Sequence, residues 1–337
     1  MALYHQILRE QPNHAEANHN LGVIAADTGQ LDTAIDLFRA AVHANPTEGH
    51  FWQSYVETLI KHGDFDEASA QLLAAEKARI QESVLAGIRE QINNNSEELF
   101  QYHIQLAQQR LPGPPYNHWL EWLHINLQPE TYLEIGIETG SSLAKARPPT
   151  RCIGVDPAPI LNTSITAWTK IFAQTSDDFF RQNTVTKLLD DSPIDFCFID
   201  GYHSFDQALR DFIHVEASSH PRSLILFHDI YPLDPITASR QRQTKFWVGD
   251  TWKIVPLLKQ ERPDLVIMTI PSFPSGLALV RNLDPTSRHL SENLQGLIDK
   301  WIEIDYLEYA AHLPQILSLS QNCEADIQNF VSSLNGL

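Results

Sequence analysis

The sequence predicts an α/β protein in which an N-terminal all-α domain precedes a doubly wound sheet. Residues 15–79 repeat with a period of 34, and residues 131–280 carry seven short apolar runs separated by polar or helix-length stretches. Between them, Leu111-Pro-Gly-Pro-Pro-Tyr116 breaks any helix. At 337 residues the chain has room for about two domains of ~150 residues, each with its own core.

The repeat comes first in the chain. Setting 15–22 against 49–56 pairs Leu21 with Tyr55, Gly29 with Gly63, Leu31 with Phe65, Ala34 with Ala68, Phe38 with Leu72 and Ala41 with Ala75. Pro12 and Pro46 stand in the same register, each ending a helix because proline cannot continue the hydrogen-bond ladder. The Leu-Gly, Ala, Phe, Ala, Pro pattern of 15–48 resembles the tetratricopeptide repeat. On that resemblance residues 1–92 form about two and a half repeats, with 1–14 as the second helix of a preceding unit. The resemblance implies either a concave surface for a peptide or protein partner or a packing and homo-oligomer role. The repeat histidines His5, His14, His19, His43 and His50 lack ligand spacing and read as surface residues.

Residues 93–114 read as a linker, with a turn over 91–96 and Ser96 as a helix N-cap before Glu97 and Glu98. This junction has few apolar anchors, so a chain beginning near Leu111 is expected to fold alone.

The apolar runs 132–135, 152–155, 171–173, 195–199, 223–227, 265–270 and 276–280 read as strands. With helix-length segments such as 204–216 between them, they predict a parallel sheet over 115–290, followed by a helical extension over 291–337. In such a sheet ligands bind beyond the carboxyl ends of the strands. After the first run comes Glu134-Ile-Gly136-Ile-Glu138-Thr-Gly140-Ser141-Ser142. Its glycines permit a sharp turn and close ligand approach, and amides at the next helix start offer donors. Asp156 closes the second run, where an acidic side chain grips ribose hydroxyls. A plain turn at the glycines and a capping role for Asp156 are the alternatives. The spacing is not the G-x-G-x-x-G of an NAD-dependent oxidoreductase.

Glu134, Gly136 and Gly140 as E-x-G-x-x-x-G, with Asp156, resemble the class I S-adenosylmethionine-dependent methyltransferases, whose sheet is Rossmann-like. Stretches around Thr175-Ser-Asp-Asp, Phe198-Ile-Asp-Gly-Tyr-His203, Gln207-Ala-Leu-Arg-Asp211 and Leu226-Phe-His-Asp229 resemble a bacterial branch that methylates hydroxyls of sugars and natural products. The resemblance implies S-adenosylmethionine across 134–142, Asp156 on its ribose, and Ser176 with Asp177 near its adenine. It also implies O-methylation of a small molecule, glycan or natural product. An acceptor hydroxyl must lose a proton, and Asp200, His203, His228 and Asp229 follow the fourth and fifth runs, with either histidine a candidate base. Asp200 and Asp229 are also candidate Mg2+ ligands, by resemblance to catechol-type enzymes. Arg240, Arg242, Thr244, Trp247 and Trp252 are candidate acceptor-binding residues: the first three, with Lys245, on a lid or a solvated loop, and the two tryptophans, with Phe246, in a ring-stacking wall or ordinary core. The alternatives kept are a peptide or carrier-bound substrate delivered by the repeats, and a repeat scaffold with a non-catalytic cofactor-binding domain.

Composition narrows the partners. With 24 basic and 42 acidic side chains the net charge is −18, which disfavours a nucleic acid. Neither an apolar run of membrane-spanning length nor a basic-then-apolar start is present, so no membrane is expected and the location reads as cytoplasmic. Cys152, Cys197 and Cys323 are too far apart for a zinc motif and read as free thiols.

Overall fold

Ala34, Ala41, Ala68 and Ala75 are all at most 1 % exposed, and side chains this small let paired helices approach closely. The computed structural model describes residues 2–94 and 96–332. Its helical part runs α1 (Ala2–Glu10), α2 (Ala15–Asp27), α3 (Leu31–Ala44), α4 (Gly49–His62), α5 (Phe65–Lys77), α6 (Glu82–Asn94) and α7 (Ser96–Arg110). Phe38, Tyr55 and Leu72 are buried between the pairs, as the repeat register requires. Leu85, Ile88, Ile92 and Leu99 bring α6 and α7 into the same core. The period misses this third pair because its register puts Arg89, Glu97, Tyr102 and Gln109 where the first repeat has Leu21, Gly29, Ala34 and Ala41.

Two readings change here. His19 is buried, not superficial: it lies against Phe38 and Phe51 and its Nε2 is 3.1 Å from Ser54 Oγ. His14 caps α2 by accepting from the Ala17 amide. The expected linker over 93–114 is largely α7; the Asn-rich turn centres on Asn95 and the cap on the Ser96 side chain, both outside the described residues.

The chain divides into two units, Met1–His103 with Asp234–Trp247, and Ile104–Leu233 with Val248–Leu337. The repeat unit therefore includes a segment from far along the sequence. Ile236 joins the repeat core, Phe246 lies against His103 at 5.6 Å between ring centroids, and His103 Nε2 bonds Asp234 Oδ2 at 2.7 Å with both side chains buried. Lys245 Nζ reaches Glu97 on α7. A chain beginning near Leu111 would leave Asp234, Ile236 and Phe246 without the repeat residues they pack on.

The second unit opens with α8 (Tyr116–Leu127) and builds a seven-stranded sheet in the order β3-β2-β1-β4-β5-β7-β6. The strands are β1 (Thr131–Ile135), β2 (Arg151–Asp156), β3 (Trp168–Ala173), β4 (Ile194–Ile199), β5 (Ser219–His228), β6 (Val266–Ile270) and β7 (Leu277–Arg281). All seven apolar runs are strands, and the first five pair in parallel. β7 is antiparallel to both neighbours, which corrects the all-parallel expectation. Residues 271–276 are too few for a parallel crossover and suffice for a hairpin.

Alternation along the strands divides two cores. Leu133, Ile135, Cys197, Ile199 and Phe227 face one layer, and Tyr132, Phe196, Phe198 and Leu226 the other. The unit also holds α9 (Ser176–Gln182), α10 (Val185–Leu188), α11 (Phe205–Ala217), α12 (Ile254–Glu261), α13 (His289–Ile302), α14 (Tyr306–Tyr309), α15 (Leu313–Ile316) and α16 (Glu324–Ser332). The C-terminal region is no appendage: Leu290, Leu297, Trp301, Leu313 and Leu317 complete the first core, and Ile327, Phe330 and Val331 the second. Among the described residues no helix is long and apolar enough to cross a membrane.

Candidate active site

Three strand ends, those of β1, β4 and β5, meet at one rim because their carboxyl termini are in parallel register. Gly136 follows β1 at φ +85°, and a Cβ there would fall 1.9 Å from the Asp200 carbonyl oxygen. Gly249, at φ +69°, stands in the same relation to the His203 carbonyl, again 1.9 Å from a would-be Cβ. The loop carrying Asp200 and His203 is thus gripped at both ends by backbone that only glycine can supply. Gly249→Ala is expected to displace His203 and lower turnover by roughly 10²-fold, since about 1 Å of misplacement can cost that much; equal turnover in the variant contradicts this fixing role.

Beneath the glycine loop, Glu134 is fully buried and accepts from Tyr132 Oη at 2.6 Å and Ser142 Oγ at 2.5 Å. Burial raises its pKa to about 8, against the pull of those two hydroxyls. The unfolded carboxyl titrates near 4.5, so the folded state holds the extra proton and stability falls as pH rises from 4.5 to 8. Glu134→Gln should flatten that fall in melting temperature; an unchanged slope contradicts it. Gly140 ends the loop, and Ser141 is exposed. The helix expected next is only a 3-10 turn, Leu143–Lys145, because Arg147-Pro-Pro149 stops it. A long helix dipole at Ser141 and Ser142 is therefore not available.

Asp156 ends β2 with Oδ2 accepting from the Glu138 amide at 2.9 Å and Oδ1 from Ala158 at 2.8 Å. It ties the glycine loop to its own turn, so the capping alternative is realised, with lone pairs on both oxygens still available to a ligand. Ser176 and Asp177 open α9 and share the Gln207 amide, 3.0 Å from Ser176 Oγ and 3.0 Å from Asp177 Oδ1.

The four catalytic candidates do converge. His203 Nε2 lies 2.9 Å from Asp229 Oδ2, and His228 Nδ1 lies 3.1 Å from Asp200 Oδ1 and 3.5 Å from Asp229 Oδ2. Asp229 turns at φ +55°, tolerable for aspartate, and Ser275 Oγ donates to its Oδ1 at 2.6 Å. Burial raises the Asp229 pKa, but His203 and His228 outweigh it and hold it well below the carboxylate range. Burial opposes charge on His228, yet Asp200 and Asp229 overcome it and lift its pKa to about 10. Facing two carboxylates, His228 is favoured in its charged form, whereas a general base must start neutral. His203, 28 % exposed, keeps access to solvent.

Asp200, His203 and Asp229 bring ligand atoms within 4.8 Å of one another. Two of the three are carboxylates, the oxygen donors Mg2+ takes with waters completing its octahedron, but Asp229 Oδ2 is engaged by His203.

Four of the five expected acceptor residues lie in the repeat unit, and three of them bond within their own segment. Arg242 donates to the Thr244 and Lys245 carbonyls, Thr244 to Phe246, and Trp247 to Ser239, while Arg240 belongs to the same stretch. Trp252 is core, fully buried beside Tyr306 and Tyr309, which rules out a stacking wall. Sequence reasoning missed Ser275, Gly249 and Tyr116, whose ring lies 4.1 Å from His228. Only the Gly276 that opens β7 and the glycine after Trp247-Val248 marked those places.

Residues 133–230 match the family described as a methyltransferase domain, and residues 25–92 the tetratricopeptide repeat. No curated protein matches the sequence. Among solved structures, the chain is similar to an O-methyltransferase from Bacillus cereus in complex with SAH, at 16% identity over 56% of this chain and 90% of that one, with a TM-score of 0.37. It is similar also to the O-methyltransferase TomG from Streptomyces achromogenes, involved in tomaymycin synthesis and complexed with SAM, at 14% identity over 55% and 89%, TM-score 0.39. The SAH-bound methyltransferase PaMTH1 of Podospora anserina gives 13% over 54% and 87%, TM-score 0.38. The two family matches and the sheet define a methyltransferase fold behind a repeat domain.

Proposed function

We propose that this protein transfers a methyl group from S-adenosylmethionine to a hydroxyl oxygen of a small molecule, glycan or natural product, with His203 as general base. The observation that carries it is the His203–Asp229 pair at 2.9 Å beside the glycine-loop rim. S-adenosylmethionine supplies a methyl on positively charged sulfur, which departs as a neutral thioether. Glu134, Gly136, Gly140, Ser141 and Ser142 form the loop and floor under the methionine part, Asp156 accepts from the ribose, and Ser176 with Asp177 flank the adenine. His203 removes the acceptor proton as the oxygen–carbon bond forms. Asp229 orients the ring and stabilises the imidazolium, as a buried carboxylate does for a catalytic histidine. His228, held cationic by Asp200 and Asp229, helps keep Asp229 ionised.

Screening sugars, phenols and peptides for homocysteine release tests the reading, and an acceptor without an ionisable O–H refutes it. Because His203 engages Asp229 and removes the acceptor proton without a metal, turnover after exhaustive chelation is expected to stay within about twofold; loss restored by Mg2+ contradicts this.

A second reading, a peptide or carrier-bound acceptor delivered by the repeats, is favoured by one observation. The segment Asp234–Trp247 belongs to the repeat unit and continues, a few residues away at either end, to Asp229 and Gly249. A peptide acceptor in the screen, with free sugars and phenols inert, would select it.

A further inference from the structure

Asp211 has no part in the mechanism above, yet it is 1 % exposed and lines the same cleft as Asp200, His203, His228 and Asp229. Its Oδ1 accepts from Gln207 Nε2 at 3.1 Å, the amide that also reaches Ser176 Oγ and Asp177 Oδ1. Gln207 is held in turn, its Oε1 accepting from Arg210 at 2.6 Å. Asp211 Oδ2 has no hydrogen-bond partner among the described residues and lies 3.9 Å from where a Gly201 Cβ would stand. One buried carboxylate thus sits between the α9 turn and the loop that carries Asp200 and His203. Burial raises its pKa to about 7, with Ser176 and Gln207 drawing it back.

We propose that Asp211, acting through Gln207, is a positioning residue for the adenine of the cofactor, fixing the Ser176–Asp177 turn against the Asp200–His203 loop. The inference rests on the S-adenosylmethionine reading. Gln207 and Asp211 are four residues apart on α11, hence on one helix face, and Gln207 has one amide nitrogen to share among three acceptors. Without the Asp211 acceptor only the amide oxygen stays tied to α11, through Arg210, and the nitrogen that holds the turn loses its register. Asparagine at 211 preserves an acceptor for Gln207; alanine does not.

The test is the kinetics of Asp211→Ala, Asp211→Asn and Gln207→Ala in the full chain, with S-adenosylhomocysteine affinity by calorimetry. Asp211→Ala and Gln207→Ala are expected to raise the KM for S-adenosylmethionine about tenfold while kcat stays within about threefold, and Asp211→Asn to stay near wild type. A KM unmoved in both alanine variants, a loss confined to kcat, or an asparagine variant as impaired as alanine overturns the proposal. If Asp211→Ala does not fold, the partly exposed Gln207 position decides. Wild-type protein that fails to bind S-adenosylhomocysteine sinks the cofactor reading itself, whereas binding equal in wild type and variants sinks only this inference.

Discussion

His203→Ala is expected to lower turnover by about 10²–10⁴-fold, the usual worth of a general base, with S-adenosylhomocysteine affinity unchanged. The asymmetry between the histidines makes the result informative. His203 lies on Asp229 with its side chain 28 % exposed; His228 is buried between Asp200 and Asp229 with its pKa at about 10. His228→Ala should therefore lower the melting temperature as well as activity, because it leaves Asp200 and Asp229 facing each other without their cation. Full turnover in His203→Ala removes the base assignment.

The second large effect falls far from the chemistry. Asp234→Ala should destabilise the repeat unit by about 1–3 kcal/mol, the cost of leaving a buried hydrogen-bonding group unsatisfied. His103 would be left with both ring nitrogens unsatisfied, since its Nδ1 has no partner among the described residues and its Nε2 has only Asp234. Urea denaturation followed by helix signal reads this, and a midpoint shifted by less than about 1 kcal/mol would show that the pair carries little.

Burial was legible in the sequence; partnership was not. Each of the seven apolar runs is a strand, and Ala34, Phe38 and Ala68 occupy the core places their spacing assigns. Spacing says nothing of which element covers a residue. His103 and Asp234 are 131 residues apart, so no local pattern links them, and the basic stretch around Arg240 read as a lid because its anchor in the repeat unit lies outside any window. Trp252 shows the converse limit: an aromatic beside polar residues looks exposed until α11, α12 and the Tyr306–Tyr309 turn close around it. At the site, the motif residues Gly136, Asp200, His203, His228 and Asp229 were all visible, because ligands gather at strand ends. What separates the two histidines is how deeply each is buried, a three-dimensional quantity. The antiparallel β7 and the curtailed helix after Ser142 had local causes, a short connection and two prolines, that a parallel-sheet expectation overrode.

The most direct measurement is calorimetric titration of the full chain with S-adenosylhomocysteine, comparing wild type with Asp156→Ala. Saturable binding is expected in wild type, weakened by about 1–3 kcal/mol in the variant as ribose hydroxyls lose a charged acceptor. No binding in wild type, equal affinity in Asp156→Ala, or displacement of the ligand by NAD would contradict a cofactor site at the β1–β2 rim.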